Sequence, residues 1–170
     1  MGWLSDDGRQ FTKMQYKGRL SILTENVVHS SGLVQYALQF TAGNLSSADG
    51  VGFIFSSKLP CSKNIQRIAS IFVNSAGRIC LRAGAEVVRS NMSLQPLKVG
   101  DWIWLSVDFN DQISCFKLIP ADGGATSSVT FAFGSSLEKL KTTTTIIPDI
   151  LSGYFACVVK NLGVTVTLSS

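Results

Sequence analysis

The chain has 170 residues, of which 45% are hydrophobic and 15% charged, with a formal net charge of +4, 15 glycines and 4 prolines. A chain of about 100–200 residues buries one substantial core without disulfide staples, and this composition excludes the disordered, collagen-like and low-complexity classes. No run of about 18 uncharged apolar residues exists to span a bilayer as a helix. The opening Met1-Gly2-Trp3-Leu4-Ser5-Asp6 lacks the basic and apolar regions of a signal peptide, and Asp6 stands where a myristoylation signal needs Ser or Thr. The expectation is a soluble cytoplasmic protein forming one domain over 1–170, with its core at about 17–168 and no membrane partner.

In chain order, the polar segment 1–16 is expected to be a mobile or edge piece, and strands are expected at Arg19–Leu23 and Val27–Ser30. Val34, Tyr36, Leu38 and Phe40 then alternate with Gln35, Ala37, Gln39 and Thr41. That period of two marks a strand with one buried and one wet face. Further strands are expected at Gly52–Ser56, Ile68–Asn74, Arg78–Arg82, Glu86–Ser90 and Ile113–Ile119. Val129, Phe131 and Phe133 alternate in the same way, as do Val164, Val166 and Leu168. Trp102–Val107 and Tyr154–Val159 are apolar at both parities and are read as central strands covered on both sides. Trp102 and Trp104 face the same way; they are read as core, with a sugar or peptide platform as the alternative.

Ser135–Thr142 has the makings of a helical turn, and Lys141–Thr145 is expected to be mobile. Ser75-Ala76-Gly77, Asn110-Asp111, Ala121-Asp122-Gly123-Gly124 and Asn161-Leu162-Gly163 supply turn residues, three of them at hairpin tips. About a dozen short strands without an internal repeat predict an all-β, two-sheet antiparallel β-sandwich of the jelly-roll kind.

The positive charge is concentrated mid-chain. Between Val51 and Gly100 lie Lys58, Lys63, Arg67, Arg78, Arg82, Arg89 and Lys98, against Glu86 alone. One reading is a face for an anionic partner such as an acidic peptide; the other is a solvated strand face. Period two puts Arg78 and Arg82 on one face with Cys80 between them, and Arg89 joins them if the next strand pairs. Such a guanidinium cluster suits carboxylate or phosphate, and pairing with Glu86 on an exposed outer face is the alternative. Aromatic residues do not interleave with this stripe, so nucleic acid is not expected.

Cys61, Cys80, Cys115 and Cys157 form no C-x-x-C pair, and His29 is the only histidine. Zinc needs clustered ligands at short spacing, so no metal site is expected and the thiols are read as reduced. Two sequons, Asn44-Leu45-Ser46 and Asn91-Met92-Ser93, would be usable only in a secreted protein.

Two stretches carry a family resemblance. One is Tyr36-Ala37-Leu38-Gln39-Phe40-Thr41-Ala42-Gly43 followed by Ser47-Ala48-Asp49-Gly50-Val51-Gly52-Phe53-Ile54-Phe55. The other runs Gly100-Asp101-Trp102-Ile103-Trp104 through Asp108, then Ile113-Ser114-Cys115-Phe116, and ends in Gly153–Val166. Over roughly residues 33–168 this order resembles the SPRY (B30.2-like) domain and, more broadly, the concanavalin A-like jelly-roll group. The resemblance implies a non-catalytic module that binds protein partners through rim loops, here Gly43–Gly50, Lys58–Gln66 and Ala121–Thr126.

Ala48-Asp49-Gly50-Val51-Gly52-Phe53 is also similar to the legume-type lectins. That likeness implies that Asp49 accepts hydrogen bonds from sugar hydroxyls, after a cis Ala48–Asp49 bond. A turn residue opening a strand is the other reading of Asp49. Asn74 falls where such lectins place metal ligands, but no carboxylate accompanies it, so the sugar reading is metal-independent. Asp49, Asn74, Lys63, Arg67, Arg78, Arg82 and Arg89 are therefore the candidate binding residues.

Catalytic signatures are scarce. Any triad would need His29, which lies before a turn and reads as a rim residue. No G-x-S-x-G, Walker or G-x-G-x-x-G motif occurs, and no cofactor is expected. A glucanase-type hydrolase, the third reading, would require two of Asp101, Asp108 and Asp111 to converge.

Overall fold

The computed structural model describes residues 2–15, 18–24, 27–56, 69–83, 86–132 and 152–169. Among them are β1 (Gly2–Leu4), β2 (Gln10–Lys13), β3 (Leu20–Leu23), β4 (Leu33–Ala42), β5 (Gly50–Phe55), β6 (Ser70–Asn74) and β7 (Arg78–Ala83). The chain continues through β8 (Glu86–Ser93), β9 (Trp102–Asp108), β10 (Ile113–Ile119), β11 (Ser127–Ala132), β12 (Gly153–Val159) and β13 (Thr165–Ser169). They form two antiparallel sheets, β1-β2-β13-β4-β9-β10-β11 and β3-β12-β5-β6-β7-β8. This is the all-β jelly-roll sandwich that the alternating pattern predicts.

Alternation builds the core. On β4, Leu38 and Phe40 turn inward; on β9, Ile103, Leu105 and Val107 do so; on β10, Phe116 and Leu118. They meet Val51, Phe53, Phe55, Ile71, Val73, Phe155, Cys157 and Val159 from the opposite sheet. Phe53 is the hub, its ring edge-on to Phe55, Phe109 and Phe155 at centroid distances of 5.2, 5.8 and 5.1 Å. Such edge-to-face geometry satisfies the ring quadrupoles while filling space. Every residue of β5 is buried. Val51, Phe53 and Phe55 enter the main core at one parity, and at the other Ile54 packs with Ala156, Leu23 and Phe72.

Two expectations change, and the mobile-or-edge alternative for segment 1–16 resolves to the edge. Trp102 and Trp104 are not core: on β9 buried and half-buried positions alternate strictly, and both indoles fall at the half-buried parity. The double apolar character of that strand reflects an outer face carrying tryptophans, whereas β12 is buried at both parities until Val158. Val27–Ser30 is not a strand; only His29 bridges, to Gly153. The segment 1–16 supplies two strands at an edge of the seven-stranded sheet, with Phe11 packed on the core. The helical turn Ser135–Thr142 and the tract Lys141–Thr145 lie outside the described residues.

Candidate functional site

The β2–β3, β4–β5, β6–β7, β8–β9, β10–β11 and β12–β13 connections gather at one end of the sandwich. Backbone bonds stitch them together: Gly163 N–H to Lys13 O at 2.8 Å, Ser75 N–H to Asp49 O at 2.8 Å, Leu97 N–H to Ser75 O at 2.7 Å. Gly43–Gly50 and Ala121–Thr126 therefore share one rim. Lys58–Gln66 lies outside the described residues, and its flanking strand ends, Phe55 and Ser70, are at the other end.

Asp49 is the keystone. It is 0% exposed. One carboxylate oxygen accepts the Ser46 N–H at 2.6 Å and the other the Lys160 N–H at 2.6 Å. Its carboxylate therefore closes the β4–β5 loop on itself and ties it to the β12–β13 connection, 111 residues away. The Ala48–Asp49 bond is trans. Enclosure and two short backbone donors leave this carboxylate a structural task, in place of the sugar contact that the lectin likeness implies.

Beneath it lies Lys13, also 0% exposed. Its Nζ donates to the carbonyls of Gly18 and Lys160, and to Val159 O at 3.5 Å. Lys160 thus gives its N–H to the buried anion and its carbonyl to the buried cation. Burial pushes the Lys13 pKa down, and the Asp49 charge acts in the opposite direction. Burial, and after it the Asp49 charge, pushes the nearby Cys157 thiol up to about 12. Each enclosed charge is thus satisfied by backbone groups, and the two act on one another through space.

Asp101 repeats the device on the neighbouring loops. It is 5% exposed and accepts the Lys98 N–H at 2.9 Å and the Ala121 N–H at 3.0 Å. Gln95 Nε2 donates a further hydrogen bond to Ala125 O at 2.8 Å. Asn74 is likewise a fastener: its Oδ1 accepts the Arg78 N–H at 2.9 Å across the Asn74–Gly77 turn. Gly77 there has φ +81, and a Cβ would meet Leu94 O at 2.2 Å, so the hairpin and the 94–97 segment approach only because the side chain is missing.

With Asp49 and Asp101 turned inward, the exposed charges of the rim are Arg19, Arg78, Lys98, Lys160 and, as the one described carboxylate, Asp122. Asp122 caps its own turn through the Gly124 N–H at 2.8 Å. Apolar side chains stand among the cations: Met14, Val99 and Leu162 are 59%, 43% and 50% exposed. Arg82 pairs with Val87 in register, and Arg89 lies opposite Cys80, so β8 does bring Arg89 beside the Arg78 strand. Lys63 and Arg67 lie outside the described residues.

Of the three candidate hydrolase acids, Asp101 stands apart, while Asp108 and Asp111 share one turn. Asp108 accepts the Asn110 and Asp111 N–H groups at 2.9 and 3.1 Å, in the turn at the far end of β9 from Asp101. Asp101 precedes the 7-residue β9 and Asp108 ends it, which sets the two about 20 Å apart at the usual strand rise, against about 5–10 Å for a glycosidase pair. His29 is bound into the sheet by mutual backbone bonds with Gly153 at 2.8 Å.

Sequence reasoning missed Lys13 as a structural group, although its parity with Phe11 on a short strand was a signal that it points inward. The two inward aspartates were singled out, Asp49 as a sugar ligand or turn residue and Asp101 as a candidate hydrolase acid, but not as fasteners between loops.

No protein-family model and no curated protein sequence matches the chain. Its architecture does match solved structures. The SPRY domain of human HERC1 superposes with a TM-score of 0.65 at 14% identity, over 99% of this chain and 92% of that one. The chain has the fold of a SPRY domain. The TRIM65 PSpry domain matches at a TM-score of 0.59 and 15% identity, over 99% of this chain and 85% of the other. A carbohydrate-binding module from Bacillus subtilis, CBM66, follows at 0.54 and 12%, covering 100% and 88%. In this SPRY fold the interlocked rim crowns one end of the sandwich.

Proposed function

We propose that the chain is a non-catalytic protein-recognition module of one domain that holds an acidic, extended partner segment at this rim. The asymmetry of charge carries the reading. Asp49 and Asp101 are 0% and 5% exposed, spent on backbone donors, whereas Arg19, Arg78, Lys98 and Lys160 are exposed. A fixed platform of loops reduces the ordering cost of binding. The cations supply steering and register to an acidic chain, and Met14, Val99 and Leu162 supply apolar contact. The SPRY-domain neighbours fit a protein partner. CBM66 fits the carbohydrate alternative, but the enclosed Asp49 carboxylate offers a sugar nothing. A reducing, cytoplasmic setting suits the free thiols Cys80, Cys115 and Cys157.

Selection of a random peptide library on the wild type and on a Lys98→Glu/Lys160→Glu variant tests this. Expected are enriched sequences in which Asp or Glu flanks an apolar residue, binding the variant at least about tenfold more weakly and losing affinity as salt rises. Enrichment of sequences without carboxylates, or binding indifferent to the two reversals, overturns it.

A further inference from the structure

The outer face of the seven-stranded sheet has a different chemistry from the rim. Register carries a continuous row across four strands: Gln10 lies opposite Thr167, Thr167 opposite Gln39, and Gln39 opposite Trp102. In the next row Ala37 lies opposite Trp104. Adjacent strands are about 4.8 Å apart, and the two indoles are about 7 Å apart along β9. An amide, a hydroxyl, an amide and an indole therefore stand side by side, with a second indole one pleat away.

These groups are already aligned. Gln10 Nε2 donates to Thr167 Oγ1 at 3.3 Å, Thr167 and Thr41 share a hydroxyl contact at 3.3 Å, and Gln39 Nε2 donates to Gly100 O at 2.7 Å. Trp102 and Trp104 are half-buried, and Trp3, opposite Thr12 on the same face, is 51% exposed. Ionisable side chains are absent from the outer positions of β1, β2, β13 and β4; on the flanking strands exposed Lys117 of β10 lies directly opposite Trp104, and Asp108 stands at the far end of β9.

We infer that this face binds a neutral oligosaccharide, at a site separate from the basic rim. A pyranose ring presents an apolar C–H face and a girdle of hydroxyls that both donate and accept. An indole matches the first through its large apolar face. Glutamine amides and threonine hydroxyls match the second, since each both donates and accepts. The row from Gln10 to Trp102 carries no charge, so an acidic or sulfated chain laid along it would lose its hydration and gain a counter-ion only at Lys117, beside Trp104. Small Ala37, 2% exposed, keeps the floor beside Trp104 flat.

Titration of the whole chain with maltohexaose, laminarihexaose, cellohexaose and mannohexaose, read by tryptophan fluorescence and by isothermal calorimetry, tests the site. At least one is expected to bind saturably, insensitive to salt, with about tenfold or greater loss in Trp104→Ala and in Gln10→Ala and none in Lys98→Glu. If Trp104→Ala melts below the assay temperature, Trp102→Phe and Thr167→Ala serve in its place. Saturable binding by none of the four, or binding unchanged in the face variants, overturns the inference. So does binding of a heparin fragment where all four neutral sugars fail. Acidic-peptide binding at the rim is unaffected by either outcome, so the two readings fail separately.

Discussion

Asp49 at the rim and Ser114 on β10 are both 0% exposed. Around Asp49, backbone N–H groups from two loops and the enclosed Lys13 converge. Around Ser114, which points inward between Phe116 and the turn after β9, no hydrogen-bond partner reaches the hydroxyl. The same enclosure thus has opposite consequences. At the rim, where chain segments far apart in sequence must be held against each other, a buried charge organises them. In the middle of a sheet whose backbone already pairs, a buried hydroxyl organises nothing.

The largest effect should follow from breaking the rim. Asp49→Ala leaves the enclosed Ser46 and Lys160 N–H groups unpaired and removes the charge that offsets the burial of Lys13; each donor left unsatisfied costs about 1–3 kcal/mol. Chemical denaturation should show that loss as a lower midpoint at unchanged slope. Lys13→Met removes the cation, and the double variant Lys13→Met/Asp49→Ala should be more stable than the sum of the single losses by about 0.5–3 kcal/mol. Strict additivity would show that the two charges do not act as a unit.

Cys157 sharpens the comparison, because it is a core thiol lying in the field of Asp49. Its pKa is about 12 in the fold against 9.0 for a thiol in water. The folded state therefore holds a proton that the unfolded chain releases, so the stability this thiol contributes is complete below pH 9 and is lost as pH rises toward about 12. The loss approaches about 1.4 kcal/mol per pH unit. Lys13 works against it. Its depressed pKa means the unfolded chain binds the extra proton below 10.5, so stability rises with pH in that window. Above 10.5 only the thiol term continues. Urea midpoints measured across that range should fall for the wild type and flatten for Cys157→Ala; parallel profiles would remove Cys157 as the cause.

These contrasts explain what was legible in the sequence. The sheets were, because Val34–Thr41 and Val164–Leu168 alternate openly and turns such as Ser75–Gly77 carry their own chemistry. The rim was legible as loops but not as an interlocked unit. Nothing local distinguishes Asp49, whose partner is Lys160, from Asp122, which caps the next residues of its own turn. Trp102 and Trp104 misled because aromatic residues count as apolar, and pattern alone does not tell a covered outer face from one whose indoles meet solvent. Arg89 could be set beside Arg78 only once β8 was seen to pair.

Ser114→Ala separates the two regions most cleanly, because it deletes a buried polar group as Asp49→Ala does and should have the contrary sign. The net value of a hydrogen bond is about 1 kcal/mol, but an enclosed donor and acceptor without partners carries a desolvation penalty of similar or larger size. Alanine removes that penalty and leaves only a hydroxyl-sized void, for which the lost dispersion contacts are small. The variant should therefore range from neutral to about 1 kcal/mol more stable, read as a melting temperature unchanged or raised by a few degrees. A loss comparable to that of Asp49→Ala would mean that the hydroxyl has a partner after all, and that the core, like the rim, is held by the polar groups it encloses.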